Sequence, residues 1–119
     1  MRPKPKPTLK QERAAKRARI KKLDIEWAKA VKDRAGWACE KCGRTTSLNS
    51  HHVFGKRAHP SVRHDLENGV CLCAGCHLWW AHKEGIEFTY WITERLGKRK
   101  LDALRRRANT VSKSVRRRG

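Results

Sequence analysis

A chain of 119 residues, 34% charged and 38% hydrophobic, sets one small domain as the default and leaves little apolar surface to bury. A formal net charge of +19 repels itself in any compact state unless a polyanion is near. Nucleic acid is the expected polyanion, with an anionic membrane surface as the alternative. No apolar run approaches the ~20 residues of a membrane-spanning helix, and the basic start lacks the apolar segment of a secretory signal.

The charge is uneven along the chain. Residues 1–22 and 98–119 carry +9 each, whereas 23–97 carry +1. This predicts a basic arm over 1–22, disordered and then helical, a near-neutral domain over 23–97, and a basic helix with a disordered tail over 98–119. Pro3, Pro5 and Pro7 alternate with basic residues and keep the first eight residues extended. From Thr8 the composition turns helical. Ile20, Leu23, Trp27 and Ala30 or Val31 recur at steps of three and four and share a helix face. Ala35-Gly36 reads as the helix end. The polar face of this helix is dense with Lys and Arg, either solvated or turned to phosphates.

Cys39-Glu40-Lys41-Cys42 follows, with Gly43 where a tight turn needs positive φ. The stretch from Ser47 to Phe54 reads as a short strand. Alternation puts Leu48, Ser50 and His52 on one face, and Asn49, His51 and Val53 on the other. Residues 55–67 read as a polar loop. Its Lys56, Arg57 and Arg63 are either solvated or candidate phosphate clamps. Val70-Cys71-Leu72 is a second strand, leading into Cys73-Ala74-Gly75-Cys76-His77. Residues 77–82 read as a helical turn or two, ended by Gly85. Phe88, Trp91, Ile92 and Leu96 fit one face of a helix closed by Gly97, and Leu101, Leu104 and Ala108 fit another.

Two Cys-x-x-Cys pairs, Cys39/Cys42 and Cys73/Cys76, suit one tetrahedral Zn²⁺, whose binding energy would compensate for a small core. Five cysteines, an odd number, argue against a complete disulfide set and for a reducing, cytoplasmic setting. Cys71 is left over as a small apolar strand residue, unless it replaces Cys73 as a ligand. His51 and His52 are adjacent, so in a strand they point to opposite faces. One could meet a metal while the other meets a water or phosphate, although structural or exposed roles fit the pair alone. Asn68 opens the second strand and can reach across to lock a ring tautomer or a backbone bend.

The order of Cys-x-x-Cys, His51-His52, Asn68 and Cys-x-x-Cys-His77 resembles the zinc-bearing branch of the HNH endonucleases, of the His-Me finger superfamily. The resemblance covers residues 39–82. It implies a small α+β fold: a ββα-metal motif joined to a four-cysteine zinc knuckle and flanked by basic helices. It implies that His51 and His77 hold a catalytic Mg²⁺ or Mn²⁺, that His52 is the general base, and that Asn68 orients it. Imidazoles also suit Zn²⁺ or Ni²⁺. The further ligand some members carry one helical turn on falls here at Ala81, with His82 one residue late. Arg63-His64-Asp65, Trp91-Ile92 and Leu96-Gly97 look, more diffusely, like phage recombination nucleases of the lambda Rap kind, which act on branched DNA. The expected function is metal-dependent DNA hydrolysis, in host cytoplasm if phage-encoded, with a homodimer or phage protein as partner. The rivals are a non-catalytic zinc-stabilised nucleic-acid-binding module and a nuclease component of a phage packaging machine.

Overall fold

The first helix, α1 (Leu9–Arg34), begins at Thr8, whose hydroxyl accepts from the Gln11 amide while Gln11 reaches back to the Thr8 amide. This reciprocal cap satisfies two donors that a helix start leaves open. In the computed structural model, which describes residues 2–110, α1 is followed by β1 (Leu48–His52), β2 (Gly69–Cys73), α2 (Gly85–Leu96) and α3 (Lys98–Ala108). The fold is small α+β. The tail expected to be disordered, residues 112–119, lies outside the described residues. α1 runs unbroken through residues 22 and 23, so the shift in charge there is a shift along one continuous helix.

β1 and β2 pair antiparallel, with His51 opposite Val70 and His52 opposite Gly69. One face of this two-stranded sheet takes α1. Trp27 and Val31 pack on Cys71, and the Ser50 hydroxyl donates to the Ala28 carbonyl at 2.7 Å. Gly69 is required here: a Cβ would run into Val31 and come within 2.8 Å of the Trp27 ring. The other face takes α2, where Val70 and Leu72 pack with Phe88 and Ile92. α2 turns into α3 at Gly97, whose φ of 83° suits glycine. α3 then closes over the loop between the strands, burying Leu104 and Ala108 against Val62.

That loop is more structured than its polar composition predicts. It contains two 3-10 turns, Pro60–Val62 and Leu66–Asn68, and Val62 is wholly buried. The helical turn after the second Cys-x-x-Cys is a π-helical segment, Cys76–Ala81. Gly85 does not end it but opens α2.

Candidate functional site

The four paired cysteines converge. The Cys39–Cys42 turn closes with the Gly43 amide on the Cys39 carbonyl at 2.8 Å, and Gly43 has the positive φ expected, 82°. The turn docks on β2 through the Glu40 amide, which donates to the Cys71 carbonyl. The Glu40 carboxylate accepts from the Cys71 amide and from Arg95. The four sulfurs of Cys39, Cys42, Cys73 and Cys76 lie within 4.8 Å of one another. Cys42 and Cys73 Sγ are 3.6 Å apart, close to the ~3.8 Å edge of a tetrahedron with Zn–S bonds of ~2.3 Å. Burial opposes ionisation of Cys39, but amide donors from Cys42, Cys73 and Lys41 outweigh it and bring the thiol down to about 6. The Cys76 amide likewise lowers Cys73, whereas burial raises Cys76. The set is a metal-binding arrangement that fits a structural zinc. Cys71 is fully buried against α1, with its thiol raised by burial. It packs as a small apolar residue and is not part of the cluster.

The histidines form a second group. His51, on the α2 side of the sheet, lies edge-on to Phe88, His77 and His82, with ring centroids 5.0, 5.1 and 5.3 Å away. Their ligand nitrogens all lie within 4.8 Å. His77 Nε2 and His82 Nε2 are 3.1 Å apart. Two ring nitrogens that close must share a proton or a cation, since two lone pairs repel. Burial first, and then neighbouring His77, His82 and His52, hold His51 down to about 4. Burial, then His82, lowers His77. His82 belongs with His77 because of the π-helical turn. In a regular α-helix residues four apart share a face, but a wider turn of i→i+5 bonds aligns residues five apart.

His52 points to the opposite face and stacks on Trp27 at 3.9 Å between centroids, 13° from parallel. Its Nε2 is 3.0 Å from the Arg63 carbonyl. A carbonyl only accepts, so Nε2 carries the proton and Nδ1 keeps the lone pair. Burial lowers its pKa, partly offset by that carbonyl. Asn68 is fully buried. It accepts from the Phe54 amide at 2.7 Å and donates to the Phe54 and Val62 carbonyls at 2.9 and 3.1 Å. Of the two roles open to Asn68, the bend of the backbone is the one observed. It ties the exit of β1 to the turn that carries Arg63.

His51, His52, His77, His82, Ser50 and Lys56 line one open cleft. Of the three predicted clamps, Lys56 sits at this cleft and Arg57 is exposed in the loop beyond it. The Arg63 guanidinium is instead forked onto the Asp24 carboxylate at 2.9 and 2.7 Å, and Asp24 also accepts from His64 at 2.7 Å. Arg63 therefore serves the cleft through its carbonyl. Trp27 and Asp24 are site-supporting residues that sequence reading placed only in a helix. No local signal joins Trp27 to a histidine 25 residues on, or Asp24 to Arg63 39 residues on. No protein-family model, curated protein or solved structure matches the chain.

Proposed function

We propose that the protein is a metal-dependent endonuclease that hydrolyses phosphodiester bonds in DNA, on a ββα-metal scaffold of the HNH type. The observation that carries this reading is one cleft shared by a three-imidazole cluster and a separate histidine whose tautomer is imposed by a backbone carbonyl. A binding module needs neither. The donor set fits a divalent ion on His51, His77 and His82. Three imidazoles without a carboxylate suit a borderline transition ion better than Mg²⁺. When bound, the ion would act as Lewis acid toward a non-bridging phosphate oxygen and the leaving 3′ oxygen.

The chain's own residues do the rest. His52 Nδ1 takes a proton from a water as the water oxygen bonds to phosphorus and the bond from phosphorus to the 3′ oxygen breaks. The leaving oxygen takes a proton from solvent, and His52 returns its own to solvent. The products are a 5′-phosphate and a 3′-hydroxyl. Trp27 and the Arg63 carbonyl hold the ring through this transfer, and Lys56 at the cleft offsets the phosphate charge.

The test is plasmid nicking with Mg²⁺, Mn²⁺, Ni²⁺ or Zn²⁺ added in turn. His52→Ala is expected to lose about 10²–10⁴ in rate with unchanged zinc content and DNA affinity. His77→Ala is expected to lose activity that high metal partly restores. If purified His52→Ala nicks at the wild-type rate, His52 is not the base; if the purified wild-type protein nicks with none of these metals, the nuclease reading fails and the non-catalytic binding module takes its place.

A further inference from the structure

The stripe of α1 that packs the sheet does not end where the packing ends. From Val31 it steps back by threes and fours through Trp27, Asp24 and Ile20 to Arg17, Arg13 and Lys10. Residues at those steps lie on one side of a helix. Inside the domain this side is occupied: Val31 and Trp27 are buried, Trp27 carries His52 and Asp24 holds Arg63. Ahead of Ile20 none of the described residues covers it, and residues 9–19 are all exposed. The molecule is accordingly long, 60 × 35 × 23 Å.

The uncovered stripe is basic, and the far side of the same helix carries Ala15 and Ala18 beside two cations of its own, Arg19 and Lys22. Among the described residues, Lys10, Arg13 and Arg17 have no ion pair. Like charges three and four apart oppose the helix. It is sustained by its capped start and by propagation from the packed half, since extending a helix costs far less than nucleating one. The result is a rod of fixed direction, rooted beside His52, with a row of unpaired cations in line with Trp27 and Asp24.

We propose that this stripe is the docking surface for the duplex DNA flanking the scissile phosphate, so that the protein grips its substrate on one side of the cut. The proposal deepens the nuclease reading and takes its cleft as the point of attack. Lys10 lies ~26 Å along the axis from Trp27 at ~1.5 Å per residue, the length of about 7–8 base pairs. A straight, rigid row of cations matches a straight, rigid polyanion. A single strand would have to be ordered against it, and residues 9–23 contain no aromatic ring on which bases could stack.

The experiment compares two double variants of equal charge in the full, zinc-loaded chain. Arg13→Gln with Arg17→Gln clears the stripe, and Arg19→Gln with Lys22→Gln clears the far side. Fluorescence anisotropy, without added divalent ion, follows binding to nicked duplexes whose arm on one side is longer or shorter than the rod's reach, across a salt series. The stripe pair is expected to weaken binding to the long-armed duplex on the order of tenfold or more, to lower the salt slope by about 1.8, and to erase the advantage of the long arm. The far-side pair is expected to leave that advantage in place. Equal losses from both pairs would overturn the proposal in favour of unfaced charge attraction. So would equal binding of single strands, or no loss from the stripe pair. The readout needs no cleavage, so an inactive protein would sink the nuclease reading while this result still decided the docking surface.

Discussion

Asn68 carries more of the fold than its size suggests. Its fully buried amide satisfies three backbone groups, the N–H and carbonyl of Phe54 and the carbonyl of Val62. Asn68→Ala leaves the Phe54 amide and carbonyl without partners, while the Val62 carbonyl keeps the Asp65 amide, and an unmet buried polar group costs about 1–3 kcal/mol. The expected loss is about 2–4 kcal/mol in urea unfolding of the zinc-loaded protein. Activity is expected to fall between wild type and His52→Ala, because the loop that presents the Arg63 carbonyl loosens while the His52 ring remains. A stability change within error would mean that the loop holds its bend without the amide.

At the scale of elements, the two Cys-x-x-Cys turns and β2 make one unit, since β2 ends in Cys73 and the first turn hydrogen-bonds to Cys71. Cys73→Ser removes a thiolate from a set of four and is expected to lose zinc and unfold the central domain. Cys71→Ser places a hydroxyl against Trp27 and Val31 and is expected to cost stability while keeping the zinc. Metal analysis of the two purified variants separates them, and equal zinc loss would reassign the ligand. The π-helical turn is the second element with a consequence. It brings His82 to His77 at a spacing that α-helical periodicity rejects. His82→Ala is therefore expected to weaken divalent-ion binding at the cleft, read by calorimetry, without releasing the structural zinc.

Over the whole molecule, α1 is held to the loop by Asp24, gripped by Arg63 and His64. Arg63 first, and then His64, hold the Asp24 carboxyl far below the usual carboxylate range, against the opposing effect of burial. A pKa depressed in the folded state contributes stability that is present above the unfolded value of about 3.9 and fades as pH falls through the folded one. The difference in unfolding midpoint between wild type and Asp24→Asn is therefore expected to be constant near neutrality and to shrink below about pH 4. A difference that grows on acidification would assign the pair no such role.

What the sequence determined by itself was local. The Cys-x-x-Cys spacing identified four metal-binding cysteines and left Cys71 aside. Strand alternation separated His51 from His52, and the periodic apolar residues marked the buried faces of α2 and α3; in α1 they marked Trp27 and Val31, whereas Leu23 is exposed and Asp24 stands in its place on the packed stripe. These follow from backbone periods of two and 3.6 and from the reach of a tight turn, all set within a few residues. Only the tertiary structure decided that Trp27 stacks on His52, that Arg63 turns its guanidinium to Asp24 and its carbonyl to the ring, and that Asn68 ties down a backbone bend. Each joins residues 11 to 39 apart, and nothing in local pattern encodes which partner a side chain meets. His82 shows the boundary between the two. Its place beside His77 depends on one extra residue in a helical turn, a distortion selected by the contacts around the turn and invisible to regular periodicity.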